Sequence, residues 1–385
     1  MGCAAGVFAA VMAGTTLPTP LYGLYQQQLG FSELTVTLIY AAYAVGVLCC
    51  LLLVGDISDT VGRRRVALVG IGCAAASAGC FLLESGLPLL YVGRVFSGFS
   101  AGLFTGGATA YVLELAPKGD RARAALVATA ANMGGLGLGP VMAGLLSQYA
   151  PWPLDLPFVV HLSLMAVSAV VVWWLPETVR DPRGWAAVRA RLPVVPAQVT
   201  TVFVPAAVTA FVGFSLLGVF TSVSPAFLAT DLGVHNRFLV GLIVFSAFAG
   251  SLAGQLLVGA VGAARSLATG CWVLVGGMAL ISLSLAQISL AALVACALVG
   301  GVGQGLGLRG AVELVAGAAP DDSRARTVSA LFLVAYLGIS VPVVGVGLLT
   351  QAIGLRAAGL VFAALMAALA CAAGTYLARR RPATD

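Results

Sequence analysis

Two arginines stand inside long apolar runs, Arg94 and Arg309. An arginine in hydrocarbon costs roughly 2.5–3.5 kcal/mol on insertion scales, so each must face a protein interior and find a partner. Glu313 lies four residues after Arg309 on the same helical face and suits an ion pair with it. If Arg309 instead faces a cavity, it would recognise an anionic guest. Arg94 either points into a bundle interior or snorkels toward the boundary marked by Leu87 and Pro88. None of the fourteen Asp and Glu residues falls near the middle of a run. Groups able to exchange a proton are therefore few. Glu33 sits at the mouth of the second run, and His161 lies in the sixth, where an imidazole titrates near neutrality or simply packs. His235 falls in a loop and is assigned nothing. The chain shows no metal-ligand cluster, no nucleophile–base set and no phosphate loop, because Gly301 to Gly310 lies within a run. Its eight cysteines have no C-x-x-C spacing and read as small buried hydrophobes. No enzyme chemistry, cofactor or metal is expected.

Uncharged residues supply the other candidates for contact with a guest. They are Tyr22, Tyr25 and Gln26 at the end of the first run, Tyr40 and Tyr43 in the second, and Asn132 in the fifth. Phe211, Phe214 and Ser215 in the seventh, Gln304 in the tenth and Tyr336 in the eleventh complete the set. Rings with a few amides suit a neutral or lipophilic molecule held mainly by burial. Core packing alone would account for any one of them.

The elements that must position these groups follow from composition. Hydrophobic residues make up 60% of the 385 and charged residues only 9%, against roughly 45–50% and about 25% for a soluble domain. A water-facing surface cannot be built from so little charge, so the chain is an integral membrane protein. Unbroken apolar runs of about twenty residues are the length an α-helix needs to cross hydrocarbon, and they exclude the alternating pattern of a membrane β-barrel. Twelve spans are expected, near 4–26, 34–54, 66–83, 88–115, 124–147, 158–175, 201–228, 238–258, 267–286, 290–315, 327–349 and 356–377. The polar stretch 177–200 reads as a cytoplasmic linker between bundles at 1–176 and 201–385. The first run begins without a basic leader, so a removed signal peptide is not expected. With cytoplasmic termini, sixteen of the twenty Lys and Arg fall on the inner side and only Arg237 and Arg356 on the outer. That bias fixes the orientation, and it makes the net charge of +6 a matter of topology rather than of nucleic-acid binding.

The halves repeat. Glu114 and Pro117 with Arg121 and Arg123 follow the fourth span, and Glu313 and Pro320 with Arg324 and Arg326 follow the tenth. Arg121 and Arg324 are offset by 203 residues, Pro140 and Pro342 by 202. With six spans per half, this is a parallel repeat about the membrane normal.

Three motifs then make the chain resemble the major facilitator superfamily, whose fold is twelve transmembrane helices in two six-helix bundles. The loop Gly55-Asp-Ile-Ser-Asp59-Thr-Val-Gly62-Arg63-Arg64-Arg65 resembles the family's signature G-x-x-x-D-x-x-G-R-[RK], with Thr60 where the family is often basic. By resemblance, Asp59 would face the N-terminal end of a helix of the other half, and an arginine would pair with Glu114, closing the cytoplasmic side until inward opening. Arg94 resembles a fourth-span arginine linked in the family to proton coupling. Gly135-Leu-Gly-Leu-Gly139-Pro140-Val-Met-Ala-Gly144 is similar to G-x-x-x-G-P-x-x-G-G, with Ala143 in place of one glycine, a pattern described mainly in drug:proton antiporters. Gly135 and Gly139 would allow close helix contact and Pro140 a kink.

The resemblance implies a secondary active transporter that works by alternating access in the cell membrane as a monomer. Its expected action is export of lipophilic or neutral small molecules coupled to proton entry, with protons, substrate and the lipid bilayer as partners. The alternative is uptake or facilitation of a polar metabolite such as a sugar or organic anion, which Arg94 and Arg309 facing the cavity would favour.

Overall fold

The computed structural model describes residues 1–54, 57–84, 86–117, 120–185 and 192–379. Gly55 of the signature loop lies outside the described residues, as do Lys118, Arg189, Arg191, Arg380 and Arg381 of the charge count. Every regular element among the described residues is helical. Among the described residues, twelve helices are long and apolar enough to cross a membrane. The chain is a multi-pass, all-α membrane protein.

We number these helices in chain order. The N-terminal six are α1 (Gly2–Leu29), α2 (Glu33–Val54), α3 (Arg63–Leu82), α4 (Leu87–Glu114), α5 (Arg121–Tyr149) and α6 (Leu156–Trp174). The C-terminal six are α7 (Thr200–Ser222), α8 (Arg237–Val261), α9 (Ala263–Gln287), α10 (Leu290–Ala318), α11 (Arg324–Ile353) and α12 (Leu355–Arg379).

Two spans depart from continuous helices. Within α1, a helix Gly2–Thr16 ends, a 3-10 turn runs over Thr19–Leu21 and a second helix covers Tyr22–Leu29. Pro18 and Pro20 carry no N–H, so the ladder cannot pass through them. After α7 ends at Ser222 a separate helix, Ser224–Thr230, starts with Pro225 in its first turn. The first span of each half is thus interrupted near one end by proline.

By packing, the chain divides into two compact units. One comprises Met1–Phe31, Ala42–Leu192 and Asn236–Phe245; the other comprises Ser32–Ala41, Pro193–His235 and Ser246–Asp385. In the first, α3 packs on α4 and α6, and α1 packs on α5 and α4. In the second, α9 packs on α10 and α12, and α7 packs on α11 and α10. These pairings correspond one to one under a shift of six helices. Glycine backbones in contact repeat as well. A Cβ on Gly98 (α4) would lie 2.9 Å from the Gly46 Cα (α2), and one on Gly250 (α8) 3.2 Å from the Gly301 Cα (α10). Lipid provides no hydrophobic force between helices, so close backbone contact supplies the dispersion that holds them together.

Candidate functional site

The first cluster forms where the signature loop enters α3. The short helix Ile57–Val61 is seated by Ile57 and Val61, which pack with Val66 and Leu103. That anchoring sets Arg63 at the start of α3, where its guanidinium is buried, 8% exposed. Its Nη2 donates to Asp59 and to Glu114 Oε1 at 2.9 Å, its Nε to Glu114 Oε2 at 3.2 Å, and its Nη1 to the Ser58 hydroxyl at 2.5 Å. Arg64 lies over the Trp173 ring at 4.9 Å. The structure therefore brings Asp59, Gly62, Arg63, Arg64 and Glu114 together within one unit.

Glu177, which the sequence places in the linker, completes the cluster. Its carboxylate accepts the backbone N–H of Arg63 at 2.9 Å and of Arg64 at 3.1 Å. These are free donors of the first turn of α3, where a carboxylate also meets the positive end of the helix dipole. Gly62 is required twice over. Its φ is +110°, and a Cβ would lie 2.5 Å from Glu177 Oε2. Thr178 adds a hydroxyl donor to Glu114 Oε2 at 2.5 Å, and the Tyr111 hydroxyl donates to the Pro176 carbonyl at 2.8 Å.

Arg94 is fully buried on α4, 1% exposed. Its Nη1 donates to the Thr15 carbonyl at 2.6 Å, and its guanidinium lies over the Tyr43 ring at 4.8 Å. Thr15 is in the last turn before α1 breaks, where helix carbonyls lack N–H partners. Arg94 is therefore a cationic cap on a helix C-terminus, a placement that dipole and hydrogen bond both favour. The geometry assigns it an interior position, not a snorkelling one.

The α5 motif packs on α1. A Cβ on Gly135 would strike Ala9, and one on Gly139 the Ala13 carbonyl. Pro140, inside α5, has no N–H to offer Leu136 four residues back. The carbonyl this frees accepts the Thr16 hydroxyl from α1 at 2.6 Å. The second unit repeats the device. Pro342 interrupts α11, and the Gly338 carbonyl accepts the Ser215 hydroxyl of α7 at 3.0 Å. In both places a hydroxyl satisfies a backbone group that lipid could not. Gly144 and Gly241 extend the α5 contact: a Cβ on either would meet a backbone carbonyl, of Arg237 and Pro140 respectively.

The remaining candidates are dispersed. Tyr22 and Tyr25 are buried in the first unit, with Tyr25 against Phe81 at 6.1 Å between ring centroids. Asn132, Gln26 and Glu33 are not buried as Tyr22 and Tyr25 are. His161 is buried on α6 with its ring against Gly14. In the second unit Phe214 and Tyr336 meet edge to face at 5.4 Å. There Gln304 accepts the Ser251 hydroxyl at 2.5 Å. Arg309 pairs with Glu313 at 2.8 Å and donates to the Gln255 carbonyl at 3.0 Å. No group of three or more His, Cys, Asp or Glu able to hold a metal occurs among the described residues.

Comparison with known proteins follows the same lines. The puromycin resistance protein Pur8 of Streptomyces alboniger is 32% identical over 188 residues, 48% of this chain and 35% of that protein. The quinolone resistance protein NorA of Staphylococcus aureus is 24% identical over 138 residues, 36% of each chain. The chain thus matches about a third of the length of these curated relatives. Among solved structures, a bacterial homologue of the human lysosomal transporter Spinster aligns over 100% of this chain and 98% of its own, with a TM-score of 0.71 at 15% identity. A point mutant of the nucleoside transporter NupG aligns over 97% of this chain and 98% of its own, with a TM-score of 0.73 at 12% identity. The human organic anion transporter MFSD10 aligns over 98% of each chain, with 0.71 at 17%. At those identities they share the fold. The profile of the Major Facilitator Superfamily matches residues 4–271. With its twelve spans, repeated packing and signature-loop cluster, the chain belongs to that superfamily.

Proposed function

We propose that this chain is a secondary active transporter that exports lipophilic or neutral small molecules in exchange for entering protons. The observation that carries the reading is the α5–α1 seam. Gly135 and Gly139 sit against α1 backbone, and the carbonyl released by Pro140 is taken by Thr16. The motif at this seam resembles one described mainly in drug:proton antiporters, and that resemblance supports export. The resistance proteins among its relatives support the same direction. Arg309 is engaged by Glu313 and Gln255, which weighs against an anion site there.

In this reading the bundles are 1–176 and 201–385 with a cytoplasmic linker at 177–200, both termini are cytoplasmic, and the protein works as a monomer in the cell membrane. Asp59, Gly62, Arg63, Arg64 and Glu114, with Gly55, form a cytoplasmic gate. Arg94 is the charged element of proton coupling, with Glu33 as an accessible carboxylate. Tyr22, Tyr25, Gln26, Tyr43, Asn132, Phe214, Gln304 and Tyr336 are the residues from which the guest's contacts are drawn. Flux of a lipophilic dye in proteoliposomes under an imposed pH gradient tests the proposal. Uptake against the dye gradient only when the pH gradient is present, abolished by Arg94→Ala, is expected. Flux indifferent to the pH gradient would leave a facilitator in its place.

A further inference from the structure

The N-terminal unit holds a small polar pocket that the transport reading does not use. It lies among α1, α3, α4 and α6, and Gly14, Thr15, Ser77, Ser97, Ser100 and His161 line it. It has room for about one water molecule. Two of its lining residues, each 3% exposed, carry a buried polar atom with no hydrogen-bond partner among the described residues: Ser97 through Oγ and His161 through Nδ1. Thr15 and Ser100 already donate, to the carbonyls of Met12 and Gly70 at 2.8 Å, and keep lone pairs free. Gly14 is what leaves space for the imidazole, because a Cβ there would collide with the ring.

Buried polar groups are almost always paired, and each exception calls for a reason. We propose that this pocket is a built water site, in which one buried water joins the Ser97 hydroxyl to the neutral imidazole of His161, with a hydroxyl of Thr15 or Ser77 as its further partner. Water is the guest the lining selects. It donates and accepts twice, as a hydroxyl and a neutral imidazole require. Among the described residues, no carboxylate or second imidazole lines the pocket to ligate a cation or balance an imidazolium. An apolar guest would leave both polar atoms unsatisfied. Arg94 donates to the carbonyl of Thr15, one of the residues that line the pocket. His161 thereby acts as a fixed joint between α4 and α6 beside the break in α1, not as a proton carrier. This inference is independent of the export reading.

The test uses the full chain in lipid nanodiscs with ring-15N histidine. His161 and His235 are the two histidines, so His235→Gln leaves one signal. Magnetisation transfer from water to the His161 ring, and a single neutral tautomer from about pH 8 to pH 6, are expected. Ser97→Ala should abolish the transfer, while Ser266→Ala on α9 should leave it unchanged. If Ser97→Ala does not fold, Ser97→Cys serves, with transfer reduced several-fold. A dry ring in the wild type, transfer that survives loss of the Ser97 hydroxyl, or an imidazolium at pH 6 would overturn the proposal.

Discussion

The Arg63 guanidinium joins Asp59, Glu114 and Ser58 at one point of the signature-loop cluster. Replacing it with glutamine removes the donors to Asp59 and Glu114 and, among the described residues, leaves the Glu114 carboxylate the Thr178 hydroxyl. Hydrogen bonds to charged groups are worth about 1.5–3 kcal/mol, and Glu114 is 36% exposed, which places Arg63→Gln near the lower end. Thermal unfolding of the purified protein should show a lowered midpoint, and dye export should fall further than stability does. Glu177→Gln keeps the shape but removes the charge that caps α3. A loss of about 1 kcal/mol is expected, and an unchanged midpoint would show that the cap is dispensable. Glu177 is illegible in the sequence because its partners are backbone N–H groups 114 and 113 residues away. The Arg63–Glu114 pair is different: the resemblance of the signature loop to the family already implies that one of its arginines meets Glu114.

At the scale of elements, the seam between α1 and α5 makes a sharper claim. Thr16→Val should cost about 1–2 kcal/mol, because the Leu136 carbonyl then has no donor in a medium without water. In a Pro140→Ala background, residue 140 regains an N–H for that carbonyl, and the same Thr16→Val change should cost several-fold less. Equal costs in both backgrounds would contradict the pairing. Gly139→Ala should be more severe than either, since the added methyl meets the Ala13 carbonyl. The twelve spans are open to reading because hydropathy reports length directly. The breaks in α1 and after α7 are not, although Pro18, Pro20 and Pro225 lie in plain view. Proline is tolerated in membrane-spanning helices, so its place within an expected span does not tell whether the backbone ladder runs on through it. The Thr16 contact spans 120 residues, a separation at which no local pattern reports pairing.

For the whole molecule, charge placement and repetition matter most. Labelling with an impermeant thiol reagent checks the orientation, using single cysteines at Arg65 and Arg180 in a chain whose eight native cysteines are replaced. Both should react only from the cytoplasmic side, and reaction from opposite sides would break the twelve-span topology. The repeat offset of 203 residues is legible from Arg121 and Arg324. Its physical content, matched α1–α5 and α7–α11 seams each held by a hydroxyl on a proline-freed carbonyl, is visible only in the folded chain. The guest is written least plainly of all, because a lipophilic molecule is held by burial, and residues that bury a guest look like those that bury one another. Proton exchange is the central claim, and its most direct measurement is internal pH in proteoliposomes when a lipophilic cation is added outside without any imposed gradient. The interior should turn alkaline as the cation enters in exchange for protons, in proportion to cation entry, and Arg94→Ala should abolish the change. Cation entry with no movement of internal pH would contradict proton exchange.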